Sequence, residues 1–410
     1  MRRGPALPAL AVFAAVAGPG LIAGLSDDDP AGITTYSILG ADFGYQLLWV
    51  LTLSTVALIA FHELGARMGI RTGRGLMLLI RDRFGLRVAM FALIALVAAN
   101  VGTTCAELAG VAASLELVNV PPWISVPIAA VGVTAVVVFE TFSRLEHVLL
   151  ALSTVFVAYI GAGLLAHPDW QAVAHGLVVP SVPLERHAAL VVTATVGTTL
   201  APWGLAFIQS YAVDKRLSKR DLPVERIDVI VGSVATGVIG AFVVIACAAT
   251  LYPQGITIED ASDAAKALEP LAGSASTALF GIGLLGAGLL AAAIVPLSTS
   301  YSVSETFGRE PHLDERPRQD PLFYATFCVV MAVAALIVMI PGAPLVDILF
   351  LTQALNAILL VPLLALMLVL ARDRTLMGSD VSGGLWWKLE LAGAAIVVAA
   401  VAALAVFSIV

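Results

Sequence analysis

The chain reads as an all-α membrane protein of eleven transmembrane helices: two inverted five-helix repeats and one added helix. Three observations predict this. Apolar runs long enough to cross a bilayer recur eleven times in 410 residues. The connections alternate between basic and non-basic, as loops on opposite membrane faces do. Two of the runs, five spans apart, are each broken at a proline. Composition agrees: 60% of residues are hydrophobic and 12% charged, whereas a soluble domain carries about 25% charge. Mean hydropathy is +0.97.

The runs cover approximately 7–40, 46–66, 88–117, 123–140, 147–166, 188–213, 226–252, 273–304, 321–341, 344–371 and 387–409. The first follows Met1-Arg2-Arg3, as a signal peptide would, but its length and its acids mark it as a retained helix. Arg67, Arg71, Arg74, Arg81, Arg83 and Arg87 separate spans two and three, and Arg144 lies between four and five. Lys215, Arg216, Lys219 and Arg220 precede span seven, with Arg226 at its start. Arg309, Arg316 and Arg318 follow span eight, and Arg372, Arg374 and Lys388 lie between ten and eleven. With a cytoplasmic N-terminus, twenty of the twenty-two Lys and Arg residues fall inside, and only Arg186 and Lys266 outside. Miscounting one helix would scramble that asymmetry. The C-terminus is then extracytoplasmic. Trp49, Trp123, Trp170, Trp386 and Trp387 lie near span ends, as interfacial anchors do.

The breaks fall at Asp29-Pro30 in span one and Ala201-Pro202 in span six. An odd number of spans per unit inverts the second unit relative to the first. The expected units are residues 1–166, with spans one to five, and 188–371, with spans six to ten; 387–409 is an appended helix. Broken helices at matching places in inverted halves point to a transporter site at the membrane midplane.

The first break reads Gly24-Leu25-Ser26-Asp27-Asp28-Asp29-Pro30-Ala31-Gly32-Ile33-Thr34-Thr35. Each carboxylate in a bilayer core costs about 2.5 to 3.5 kcal/mol even on lenient scales, so three together call for a cation. Pro30 removes an amide and breaks the helix, freeing carbonyls beside the acids. Carboxylates, carbonyls and hydroxyls suit Mg²⁺, Mn²⁺ or Ca²⁺. The bland alternative, a loop of solvated acids, conflicts with the apolar sequence on both sides. The second break reads Val196-Gly197-Thr198-Thr199-Leu200-Ala201-Pro202-Trp203-Gly204-Leu205. It offers hydroxyls and carbonyls but no charge, sulfur or imidazole, and alone it could be an ordinary proline kink.

These residues resemble the NRAMP divalent-metal transporters. Asp-Pro-Ala-Gly of span one looks like the family's Asp-Pro-Gly-Asn, and Gly197 to Trp203 takes the place of its Ala-x-x-Met-Pro-His. Asn100 to Glu107 resembles Gly-Thr-Asp-x-Ala-Glu. Arg144-Leu145-Glu146 and Gln353-Ala354-Leu355-Asn356 also match, so the resemblance spans essentially the whole chain. It implies a LeuT-like 5+5 inverted repeat and a metal site at Asp29, Asp28, Gly32, Thr198, Ala201 and Gln353. Pro30 and Pro202 are the helix breaks, and Glu107 is a candidate pore or proton acid. For Gln353, a plain interhelical hydrogen bond is an equal reading.

The departures share one direction. The family's metal-binding aspartate falls on Asp29 and is kept. Its asparagine falls on Gly32, its methionine on Ala201, its histidine on Trp203 and its span-three aspartate on Thr104. Losing a thioether removes a soft ligand, and losing an amide widens the site for an ion that keeps its waters, as Mg²⁺ does. The pattern is similar to the NRAMP-related magnesium transporters. With Thr104 and Trp203 in place of titratable groups, uptake of Mg²⁺, and also Mn²⁺, without proton coupling is expected. The alternative is proton-coupled transition-metal (Mn²⁺/Fe²⁺) transport.

Other classes fit less well. His62-Glu63 begins a zinc-protease motif, but position 66 is alanine; the pair is expected at the inner end of span two, near Arg67. An intramembrane prenyltransferase would pair Asp27-Asp28 with Asp260-Ala-Ser-Asp263, yet position 31 is alanine and the second motif lies in an outer loop. An amino-acid substrate would bring its carboxylate against the aspartates. Cys105, Cys247 and Cys328 lie in apolar segments and are expected as packed core thiols, not a disulfide or metal site. Glu305 and Asp347, near span ends, are expected to be interfacial or paired. No resident cofactor and no nucleic-acid partner are expected. The partners are the ion as substrate and the lipid bilayer of the cell (inner) membrane, with the chain as a monomer.

Overall fold

The computed structural model describes residues 28–139, 157–259, 261–309 and 317–409, and no strand occurs among them. The principal helices are α1 (Pro30–Phe43), α2 (Leu48–Thr72), α3 (Leu76–Phe84), α4 (Leu86–Glu116), α5 (Pro122–Phe139), α6 (Ala158–Leu165) and α7 (Trp170–Val178). They continue with α8 (Arg186–Thr199), α9 (Pro202–Asp214), α10 (Leu222–Thr250), α11 (Ser276–Thr306), α12 (Pro321–Val338), α13 (Leu345–Arg372) and α14 (Gly384–Ile409). Among the described residues, nine stretches are long and apolar enough to cross a membrane, counting α8 and α9 as one. They coincide with nine of the eleven expected runs. The other two, spans one and five, lie partly outside the described residues and are represented by α1 and α6.

The apolar interior forms two large clusters. One gathers side chains of α1, α2, α8, α10 and α13. The other gathers those of α4, α5, α9, α11 and α12. Helices apolar on every side cannot use hydrophobicity to choose a buried face, so close packing at small residues does the choosing. Gly65 and Gly69 of α2 illustrate this. A methyl at Gly65 would lie 2.9 Å from Ile208 Cγ2, and one at Gly69 would lie 2.6 Å from the Gln209 carbonyl oxygen of α9.

The structure changes the sequence reading in three places. Span two was expected to end at residue 66 with Arg67 in the loop; α2 instead runs to Thr72, and Arg67 is buried inside it. Its guanidinium meets Glu63 at 3.0 Å, Glu390 of α14 at 2.9 Å, the Ser382 hydroxyl at 2.9 Å and the Asp380 carbonyl at 2.6 Å. A fully engaged arginine can stay in a helix interior, and α2 stops only where Gly73 turns left-handed at φ 65°. Cys105 and Cys247 are buried as expected, but Cys328 is exposed on α12. The outer segments expected as loops carry α7 and two short helices, Ala261–Lys266 and Glu269–Ala272.

Candidate functional site

The site begins where α1 begins. Pro30 occupies the first turn, where its missing amide is harmless and its fixed φ suits a helix start. Asp29 caps the helix: its Oδ1 accepts from the Gly32 amide at 2.6 Å, and its carbonyl accepts from the Ile33 amide at 2.9 Å. Gly32 thus contributes an N–H to the aspartate and no side-chain ligand. The positive end of α1 favours negative charge at this point. Asp28 is equally buried, at 3% exposure, and neither of its oxygens has a hydrogen-bond partner among the described residues. Asp27 lies outside the described residues.

Three other elements hold α1 in place. A methyl at Gly110 of α4 would fall 2.6 Å from Pro30 Cγ, so only glycine lets α4 approach this close. Tyr36 and Thr199 share a hydroxyl–hydroxyl hydrogen bond of 3.0 Å, tying α1 to the last turn of α8. Ala31 lies in the same apolar cluster as Cys105, Ala106, Ala201 and Trp203.

The second break is fully described. α8 ends at Thr199, Ala201 is extended at φ −63° and ψ 133°, and Pro202 opens α9. Pro202 has no amide to give the Thr198 carbonyl four residues earlier. The Thr198 hydroxyl is buried, 2% exposed, and has no partner either. Gly197 sits directly on α13: an added methyl would lie 2.7 Å from the Ala357 nitrogen and would collide with the Gln353 carbonyl.

Glu107 of α4 is fully buried and interacts with Asp29, though neither of its carboxylate oxygens reaches hydrogen-bond geometry with any partner. Gln353 is engaged on both sides of its amide. Its Nε2 donates to the Thr352 hydroxyl at 3.1 Å, and its Oε1 accepts from Asn356 Nδ2 at 3.0 Å. Asn356 Nδ2 also donates to Thr103 Oγ1 of α4 at 3.0 Å. Both Gln353 partners lie on α13 itself, so the bond that crosses between helices is made by Asn356 and not by Gln353. Thr104 folds its hydroxyl onto the Asn100 carbonyl at 2.7 Å, as a helical threonine commonly does. Trp203 is completely buried with an unpartnered indole N–H.

Among the described residues, no three His, Cys, Asp or Glu side chains form a metal-binding group. An ion bound here would therefore combine carboxylate with hydroxyl, backbone carbonyl and water, which is a hard-oxygen donor set. Bare buried carboxylates and an unpartnered buried hydroxyl are what such an ion would satisfy.

Polar groups also join helices away from the breaks; sequence reasoning expected Glu305 to be interfacial or paired and Glu63 to lie near Arg67, but it named none of the distant partners. Glu305 of α11 accepts from the Ser210 hydroxyl of α9 at 2.5 Å and from the Met77 amide of α3 at 3.1 Å. Tyr301 donates to Asp214 Oδ2 at 2.7 Å. Glu63 meets Arg226 at 2.7 Å as well as Arg67. The i,i+4 spacing of Glu63 and Arg67 was a usable signal; nothing local marks Glu390.

Comparison with known proteins adds the lineage. A sequence profile for natural resistance-associated macrophage protein-like (Nramp) chains matches residues 20–408. The divalent metal cation transporter MntH of Caldanaerobacter subterraneus subsp. tengcongensis is 31% identical over 288 residues, 68% of either chain. The MntH of Granulibacter bethesdensis is 28% identical over 393 residues, 93% of this chain and 86% of the relative. Among solved structures, an Eremococcus coleocola manganese transporter superposes with TM-score 0.77 at 18% identity, covering 98% of this chain and 89% of its own. MhsT, solved in complex with L-phenylalanine, superposes at 0.62 and 14% identity, covering 100% and 99%; both likenesses concern the fold. With nearly its whole length matched by the family profile, the chain belongs to the NRAMP family.

Proposed function

We propose that the chain is a transporter, not an enzyme, and that it imports divalent metal ions by alternating access. It favours hard ions, Mg²⁺ and also Mn²⁺, and moves them without proton coupling. The observation that carries this reading is Asp28 and Asp29, buried at the start of α1 with the Asp28 oxygens unpartnered among the described residues, and no charged group, sulfur or imidazole at the second break. Relatives named divalent metal cation transporter support the metal class. The alanine at position 201 supports the hard-ion preference, because a thioether would favour soft ions.

The ion-binding site in this reading is formed at Asp29, Asp28, Gly32, Thr198 and Ala201, with Gln353 joining once its bond to Asn356 opens. The architecture is eleven spans with a LeuT-like 5+5 inverted repeat, residues 1–166 and 188–371, followed by 387–409. The chain works as a monomer in the cell membrane, N-terminus inside and C-terminus outside. A partly hydrated ion enters from outside and neutralises the aspartates. The protein then opens inward, and an inside-negative potential favours entry by about 2.3 kcal/mol per charge per 100 mV.

The test is flux into proteoliposomes with Mg²⁺, Mn²⁺, Ca²⁺ and Cd²⁺ in competition. Mg²⁺ and Mn²⁺ should be carried, Cd²⁺ should gain no advantage, and the lumen should not acidify. A second reading, proton-coupled transition-metal uptake, is favoured by Glu107, a fully buried acid that interacts with Asp29. Metal-driven acidification abolished by Glu107→Gln would establish it instead.

A further inference from the structure

At the end of the molecule that carries most basic residues, α13, α14 and α3 border an open surface cavity of about 560 Å³. Its wall is apolar: Leu368 and Val369 of the last turns of α13 and Leu391 of α14. Val369 and Leu391 are 51% and 44% exposed, facing outward where lipid lies. Its mouth is cationic: Arg83, Arg372 and Arg374 line it, with Asp373 as the one acid, so two positive charges remain. The change from apolar to cationic occurs at the end of a span, since the apolar stretch of α13 closes at Ala371.

Two of the three arginines are held, not loosely snorkelling. Arg372 donates to the Ser382 carbonyl at 3.0 Å and lies over the Trp387 ring at 5.0 Å. Arg83 arrives from a different connection and is fixed to Asp373 at 2.5 Å. Arg374 is exposed and has no protein acceptor among the described residues. Guanidinium groups bind phosphate oxygens in bidentate fashion, Trp387 marks the headgroup level, and basic pockets between helices at a membrane face bind anionic headgroups.

We propose that this cavity is a binding site for one anionic glycerophospholipid, its phosphate at Arg374 and Arg372 and an acyl chain along Leu368, Val369 and Leu391. A free phosphate would leave the apolar wall uncovered. A zwitterionic lipid would bring an ammonium group against three guanidiniums. The assignment is independent of which ion the protein carries.

Native mass spectrometry of the full chain in neutral detergent tests it, with dioleoylphosphatidylglycerol, dioleoylphosphatidylcholine and inorganic phosphate as probes. The phosphatidylglycerol adduct should persist where the phosphatidylcholine adduct is lost. Arg374→Gln should weaken the former about fivefold, the expected effect of one basic contact, and leave the latter unchanged, which also shows that the fold is intact. Arg220→Gln, in an exposed connection elsewhere on the same face, should change neither. Equal retention of both lipids, an equal loss in Arg220→Gln, or displacement by inorganic phosphate at equal concentration would each overturn the proposal.

Discussion

Arg67→Met removes four hydrogen bonds, but the structure assigns most of the resulting cost to one group. Glu63 keeps Arg226 at 2.7 Å and Ser382 keeps its bond to Glu390 at 2.8 Å, while the Asp380 carbonyl loses one ordinary hydrogen bond. Among the described residues Glu390 loses its only ion-pair partner, and it is fully buried with its second oxygen already unpartnered. An ordinary hydrogen bond contributes about 1 kcal/mol, whereas breaking a buried ion pair by removing one member costs about 3–5 kcal/mol. The single variant should therefore lose about 3–5 kcal/mol of stability. Adding Glu390→Gln removes the stranded charge and should bring the double variant to within about 1–2 kcal/mol of the parent. Reversible unfolding in mixed detergent and dodecyl sulfate micelles reads these differences directly. If the double variant is no more stable than Arg67→Met, the stranded carboxylate is not the source of the loss and the reasoning fails.

Three further outcomes follow from the site and its supports. Asp29→Ala should abolish Mg²⁺ and Mn²⁺ flux while size-exclusion behaviour stays normal; retained flux removes Asp29 from the site. Gly197→Ala forces α8 off α13 beside Thr198, so it should cost about 1–3 kcal/mol of stability through overpacking and depress transport much more than Gly132→Ala, where an added methyl meets open space. Outside the membrane, the Thr375 hydroxyl, with the Thr375 amide and Arg83, holds the Asp373 carboxyl below its ordinary 3.8. A depressed carboxyl stabilises above its unfolded value and loses that contribution as pH falls through the folded one. The melting-temperature gap between the parent and Asp373→Asn should thus be constant from neutral pH downward and close only below pH 3.8.

The spans were legible because the bilayer demands long apolar runs, and the second break because Pro202 cannot donate an amide. The burial of Asp28, Asp29 and Thr198 followed from the apolar sequence around them. Outward and inward faces were not legible: lipid and protein are equally apolar surroundings, so nothing distinguished exposed Cys328 from buried Cys247. Arg67 was misplaced because its partners Ser382 and Glu390 lie more than 300 residues along the chain. The tightest constraints, Gly110 on Pro30 and Gly197 on α13, are contacts at a missing side chain, which sequence records only as a small residue.

Asp28 has a kinetic consequence when the binding site is empty. In the proposed cycle an ion-free carrier makes its return journey with a carboxylate that no group among the described residues neutralises, in surroundings where bare charge is costly. The loaded leg carries a neutralised pair, so the unloaded leg is the slower one. One-for-one exchange of metal across the membrane should then outpace net uptake, and metal trapped inside vesicles should accelerate entry of labelled metal from outside.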